Sequence, residues 1–364
     1  MGDAGNNCSI PYTTDTEMRT TRAAVLSQIN QPLEIDELVI PDLKRGQVLV
    51  RIAYSGVCHS QLNEIRGLKG EDKYLPHTLG HEGSGIVIEV GPEVRKVKVG
   101  DHVVLTWIKG AGLDSPSMQY ERVDGSIVHS GAISTFMEYA VISENRLVPI
   151  PKEMPLKEAA LLGCAIPTGA GIVLNTARVQ PDSTVAIFGV GGIGLSAILA
   201  AKMMEAAIII AVDIHEQKLI QAREIGASHV INASTQHALD AIRKITGGQG
   251  VDFAIEAAGK REAMETAFKS VKDKGGLCIL AGNLPAGQQI CIDPFDLIKG
   301  KRIIGTWGGE TNPDKEIPKY VDHFLSGRVN LSCFTSDIYR LVGINNALND
   351  LASGKVNRAL IEFS

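Results

Sequence analysis

The chain has 364 residues, enough for two hydrophobic cores, because a single core stops growing at roughly 250–300 residues. Apolar residues make up 44% and charged residues 21%, a soluble globular balance, and a net charge of −5 offers no basic surface to nucleic acid or an anionic membrane. No apolar run reaches the roughly 20 residues of a membrane span, and six cysteines (Cys8, Cys58, Cys164, Cys278, Cys291, Cys333) without a CxxC pair make no disulfide framework.

Met1 to Thr20 is polar and lacks the apolar stretch of a secretory signal, so it reads as a loose arm on a cytoplasmic protein. Short β-branched segments then alternate with glycine and proline: Ala23–Ser27, Leu33–Ile40, Gln47–Tyr54, Ile86–Val90, Val103–Leu105 and Tyr139–Ile142. This is the texture of a β-rich domain. Near residue 168 the pattern changes to apolar strands separated by helices. Thr184–Val190 is a strand, Gly192–Glu205 a helix, Ala207–Val212 a strand and His215–Ile225 a helix. His229–Asn232, Val251–Ala257 and Leu277–Ala281 continue as buried strands, which implies a parallel sheet covered on both faces. Cys278 and Cys291 lie in apolar strand-like runs and read as small buried hydrophobes. From about Trp307 the tail returns to helix and short strand, in position to rejoin the first domain.

Gly189, Gly191 and Gly194 give the G-x-G-x-x-G spacing where an apolar strand ends and a helix opens. Gly189 permits a tight turn, Gly191 lets the backbone approach a pyrophosphate, and Gly194 brings helix and strand close. With Gly192 and Ile193 they open a helix whose free N–H groups face the phosphates. A second strand ends at Asp213, 19 residues after Gly194. A carboxylate there accepts hydrogen bonds from the adenosine ribose and repels an added phosphate, which favours NAD over NADP. The bland alternative is a packing turn with Asp213 as a helix cap.

Metal-ligand residue types occur in three segments, Gly56-Val-Cys58-His-Ser60, Gly80-His81-Glu82-Gly-Ser-Gly85 and Gly163-Cys164-Ala-Ile-Pro-Thr168. Their spacing alone does not gather them. These motifs, followed by VGGIG and VDI, resemble the zinc-containing alcohol dehydrogenases of the medium-chain dehydrogenase/reductase superfamily, collinearly from about Ala23 to Phe363. The resemblance implies an α/β fold: a GroES-like catalytic domain (1–167), a doubly wound Rossmann domain (168–307) and a C-terminal return (308–364). It implies one catalytic Zn²⁺ per subunit on Cys58, His81 and Cys164, with Glu82 as a carboxylate behind the ligands; this Cys₂His set is a known example of catalytic zinc. Ser60 then takes the alcohol proton and, with Trp107, lines the substrate pocket. His59 and Arg358 stand near the pyrophosphate, Thr168 at the nicotinamide and Lys218 at the adenosine ribose. The implied reaction is reversible hydride transfer between an alcohol and its aldehyde or ketone, in a homodimer or homotetramer associating along the Lys301–Trp307 edge.

The chain departs from that family at three places. Lys109 to Phe136 contains no cysteine, so the four-cysteine structural zinc of many relatives is not expected, and a polar loop from Gly110 stands there. Gln61 stands where relatives usually have an aspartate, and Asn63 where many have a histidine that ends the proton relay. An amide does not titrate, so the proton leaves through water or the cofactor ribose. Polyol, sugar or aminocyclitol dehydrogenases of the same superfamily are the nearest competing reading, disfavoured by Cys164. A zinc-free quinone or enone reductase is disfavoured by the complete ligand set. A catalytically inactive nucleotide-binding protein is disfavoured by that set together with Ser60.

Overall fold

Three β-sheets organise the described residues, 19–334 and 337–363 of a computed structural model. Cys8 and most of the expected N-terminal arm lie outside them. Thr20, the last residue of that expected arm, pairs with Val39 in β2.

The first half contributes β1 (Thr20–Leu26), β2 (Glu34–Val39), β3 (Gln47–Val57), β4 (His77–Thr78), β5 (Glu82–Val90), β6 (His102–Thr106), β7 (Gln119–Arg122), β8 (Ile127–His129), β9 (Tyr139–Ser143) and β10 (Leu147–Ile150). Strands β1, β2, β7, β8 and β4 close into a small barrel. Strands β10, β6, β5 and β3 lie side by side in a second sheet, with β9 also paired to β3. Six of these ten strands were legible as alternating segments. β4 and β8 are too short to show a period, and β10 carries Pro149, tolerated because β10 is an edge strand. The cysteine-free stretch is more than a loop: residues 119–129 form the β7–β8 hairpin of the barrel wall.

The second half contributes β11 (Thr184–Phe188), β12 (Ile208–Asp213), β13 (His229–Asn232), β14 (Phe253–Glu256), β15 (Leu277–Leu280) and β16 (Arg302–Gly305). Every pairing is parallel, in the spatial order β13-β12-β11-β14-β15-β16. Between Thr184 and Asp213 at their ends, β11 and β12 carry only apolar residues because helices cover both faces, one packed core on each side. Cys278 is buried in β15, as expected. Cys291 is not buried: it is exposed in an extended loop ending at the short helix Pro294–Ile298, so its apolar neighbours do not make a strand.

The tail adds β17 (Asp337–Arg340) and β18 (Ala359–Glu362) to the second sheet, β18 lying antiparallel to β3 with Ala359 opposite Val57. Between them the helix Ile344–Ala352 buries Ile344, Ala347, Leu348 and Leu351, the i, i+3, i+4, i+7 stripe of an amphipathic helix. No single helix among the described residues is long and apolar enough to cross a membrane.

Candidate metal centre and dinucleotide site

The antiparallel pairing of β3 with β5 puts the C-terminal end of one beside the N-terminal end of the other, with Ser55 opposite Gly83. Cys58 directly follows β3 and His81 directly precedes β5, so residues far apart in sequence meet at one sheet edge. Cys164 reaches the same place from the turn before the helix Ala165–Gly171. Gly163 permits that approach, since a Cβ there would lie 2.2 Å from the Leu105 carbonyl oxygen and 2.8 Å from Glu82 Cβ. The ligand atoms of Cys58, His81 and Cys164 all lie within 4.8 Å of one another.

The chemistry of this set suits a soft-to-borderline cation. The Cys164 thiol donates towards Cys58 and holds its sulfur well below the ordinary thiol range, helped by the Arg358 charge and His81. The Cys58 thiolate and burial push Cys164 well above that range. Two adjacent sulfurs, Cys164 buried and Cys58 half-buried, that share a proton are a place where a divalent cation can replace that proton. Ser60 Oγ lies 3.4 Å from His81 Nδ1, and the Gln61 amide nitrogen faces the same ring nitrogen, so Nε2 is the His81 nitrogen left to ligate a metal. Gln61 also accepts a hydrogen bond from the Cys58 backbone N–H at 2.8 Å, a link the sequence does not reveal.

Glu82 is fully buried and lies against the Arg358 guanidinium, itself 4% exposed. Beyond that ion pair, both carboxylate oxygens of Glu82 and Nε of Arg358 have no hydrogen-bond partner. A second group of ligand types, Glu64, Asp72 and His77, is internally satisfied: His77 bonds Asp72 at 2.8 Å and Lys69 pairs with Glu64 at 2.6 Å.

The glycine turn follows β11 directly. Gly189 has φ +91°, and a Cβ on Gly194 would sit 2.0 Å from the Gly189 carbonyl oxygen, so both positions require glycine. A Cβ on Gly191 would meet nothing within 4 Å, so open space lies in front of the helix Gly192–Met203, where Ile193 continues the first turn. Arg358 borders that space, with Nη1 3.4 Å from the Cβ position of Gly192. Asp213 ends β12 and its carboxylate accepts from the N–H groups of Val190 (2.7 Å), Ile214 (2.8 Å) and His215 (3.0 Å). Asp213 therefore ties the glycine turn to the residues that follow β12, and it is not the cap of the next helix, whose first turn it does not reach. Lys218 is buried on the following helix rather than lying on its surface. The protein walls around His59 disfavour its charged form; the Cys58 sulfur opposes this, and the positive charges of Lys218 and Arg358 add to it, so the ring titrates below its ordinary range. Three basic side chains thus converge on one cleft.

Thr168 is 5% exposed, and its hydroxyl lies beside the Cys164 sulfur. Trp107 also faces Cys164, with its indole nitrogen buried. The chain has two tryptophans, and they meet here: Trp107 and Trp307 pack edge to face, ring centres 5.2 Å apart at 82°. The sequence places Trp307 at the end of an edge strand and gives no sign of its contact with Trp107, because it follows β16, far from every motif.

Residues 44–152 match the alcohol dehydrogenase GroES-like domain, and residues 192–326 match the zinc-binding dehydrogenase family. The chain is 34% identical to the S-(hydroxymethyl)glutathione dehydrogenase of Synechocystis sp., an alignment covering 94% of this chain and all of that protein. It superposes on the alcohol dehydrogenase zinc-binding domain protein from Burkholderia ambifaria with TM-score 0.88 at 34% identity, covering 96% of this chain and all of the other. The benzyl alcohol dehydrogenase of Acinetobacter calcoaceticus gives TM-score 0.86 at 33% identity, covering 95% of this chain and all of the other. With its GroES-like and Rossmann folds in place, this chain belongs to the zinc-containing alcohol dehydrogenases of the medium-chain dehydrogenase/reductase superfamily and is a zinc-dependent oxidoreductase.

Proposed function

We propose that the protein catalyses reversible hydride transfer between an alcohol and NAD, using one zinc per subunit held by Cys58, His81 and Cys164. The observation that carries this reading is the gathering of two thiols and an imidazole within 4.8 Å, beside a glycine turn and its second-strand acid. Bound there, Zn²⁺ supplies Lewis acidity that acidifies an alcohol and polarises a carbonyl. Ser60, next to the ligands, receives the departing hydroxyl proton and passes it to water or the cofactor ribose, because Asn63 cannot titrate. Glu82 stands behind the ligands, its charge balanced by Arg358. Arg358 and His59 hold the pyrophosphate, Lys218 and Asp213 the adenosine ribose, and Thr168 the nicotinamide side.

Asp213 favours NAD over NADP, since a 2′-phosphate would meet a carboxylate already committed to three backbone donors. The paired tryptophans favour a flat, unsaturated or aromatic substituent on the alcohol, stacked against indole rather than hydrogen-bonded. The same feature disfavours polyols and sugars, which need convergent polar groups. We assign subunit association to the β16 edge, where Ile298, Ile304 and Trp307 are exposed.

Metal analysis joined to NADH absorbance tests the reading, with a panel of benzylic, short aliphatic and polyhydric alcohols and S-(hydroxymethyl)glutathione. The expected result is one zinc per subunit, turnover with NAD, highest kcat/KM for planar alcohols, and loss of both zinc and turnover in Cys58→Ala. Full turnover by Cys58→Ala, or protein that holds no zinc after preparation with zinc in excess, refutes it.

A further inference from the structure

Gln61 is 2% exposed, so whatever its amide fails to satisfy, water does not supply. Its oxygen accepts the Cys58 backbone N–H at 2.8 Å, capping the helix His59–Ile65 at the residue that carries the first sulfur. Its nitrogen faces Nδ1 of His81. An imidazole that ligates through Nε2 carries its proton on Nδ1 and is a donor there. An amide has one oxygen, and in this position it stands between two N–H groups. As oriented, its NH₂ meets the His81 N–H, donor to donor. Turned over, it would satisfy His81 but point its NH₂ at the Cys58 N–H and lose the cap. Either way one donor on a metal ligand goes unsatisfied by Gln61. The remaining acceptor is Ser60 Oγ, 3.4 Å from His81 Nδ1.

We infer that Gln61 is a positioning residue that leaves the metal centre one acceptor short and makes Ser60 the supporting partner of His81. This has two consequences. The imidazole is held by a long bond to a hydroxyl instead of a charged or well-aligned acceptor, so the zinc exchanges readily. Ser60, accepting from His81, turns its own O–H away from the ring, towards the substrate side of the centre. This inference rests on the proposed metal site and extends it to the hold on the metal.

The experiment measures zinc release from the holoenzyme into excess chelator, for the wild type, Gln61→Glu, Ser60→Ala and the double variant. Zinc content is determined first, so that failure of the metal reading shows as protein without zinc, a result distinct from any change in release rate. Glutamate keeps the shape and offers two oxygens, one for each N–H. Partners behind metal ligands typically change metal affinity by about 10–100-fold, so Gln61→Glu is expected to slow release by about that factor. Ser60→Ala is expected to speed release by about threefold or more in the wild-type background and to have no effect in the Gln61→Glu background, the coupling expected of side chains sharing one partner. An added negative charge alone would slow release yet leave the Ser60→Ala effect equal in both backgrounds, and that result overturns the inference. Release from Gln61→Glu at the wild-type rate also overturns it. Should Gln61→Glu not fold, Ser60→Ala releasing zinc at the wild-type rate overturns it independently.

Discussion

Asp213 offers the sharpest separation between cofactor recognition and architecture. Its carboxylate has about four acceptor sites, and three backbone N–H groups already use it: Val190 on one oxygen, Ile214 and His215 on the other. Asp213→Asn replaces one oxygen with NH₂. The amide can keep the Ile214 and His215 bonds but then presents a donor to Val190, the residue inside the glycine turn. Leaving that N–H unpaired costs about 1–3 kcal/mol of stability. A ribose hydroxyl loses a charged acceptor, and hydrogen bonds to charged groups contribute about 1.5–3 kcal/mol. That range converts to about 10–150-fold in affinity for NAD. Repulsion of a 2′-phosphate disappears at the same time. Steady-state kinetics with NAD and NADP, and NADH binding followed by fluorescence, should therefore show kcat/KM for NAD falling by about 10–100-fold while the preference over NADP collapses. A variant whose NAD-to-NADP ratio stays within twofold of wild type while its thermal stability falls would mean that Asp213 is solely a backbone cap.

Gly194→Ala places a methyl 2.0 Å from the Gly189 carbonyl oxygen, so helix and turn must separate; loss of measurable NADH binding with a lowered unfolding temperature is expected, and wild-type NADH affinity would contradict it. Glu144 holds the loop that stands in place of a structural-zinc lobe, accepting from Leu113 N (2.7 Å), Arg95 N (2.6 Å) and Lys96 N (2.7 Å). Burial opposes its ionisation, but these bonds outweigh it and hold the carboxyl below the ordinary range. The stability it contributes is therefore present above the unfolded carboxyl pKa of about 4.3 and is lost as pH falls through the depressed folded value. Glu144→Gln should cost about 2–4 kcal/mol at neutral pH and flatten the acid side of a thermal-unfolding profile against pH; an unaltered profile would show that the loop does not depend on this carboxylate.

What was legible in the sequence is what the chain writes locally. The glycine turn could be read because strand, glycines, helix and acid lie within one continuous stretch, and β11 and β12 because apolar residues fill their middles. The first half was read less completely. A two-residue β4 and a three-residue β8 have no period to detect, and Pro149 argued against a strand at β10 until its edge position made it harmless. Cys291 shows the opposite error, an apolar run that no sheet receives. The metal ligands were legible as residue types and by family likeness, while their meeting depends on strand pairings that no local pattern encodes. Gln61 stands out in the sequence as an amide where relatives carry an aspartate, yet which atoms face it depends on the fold, and Trp307 gave no sign of touching Trp107.

One topological fact accounts for the assembly of the whole centre. β3 is flanked by β5 and β18, both antiparallel to it, so the end of β3 lies beside the beginnings of its two neighbours. Cys58 leaves β3 at that edge, His81 and Glu82 enter β5 there, and Arg358 stands immediately before β18. The tail thus delivers, across some three hundred residues of sequence, the cation that a buried Glu82 requires. A carboxylate with no exposed surface is strongly disfavoured unless it is paired, so the catalytic half is electrostatically incomplete until the chain has returned from the sheet that carries the glycine turn. Because Arg358 also borders Gly192, the charge that neutralises the rear of the metal centre faces the cleft proposed for the cofactor phosphates. Metal centre and dinucleotide cleft are therefore coupled through one guanidinium, and the return of the tail to β3 is what holds it between them.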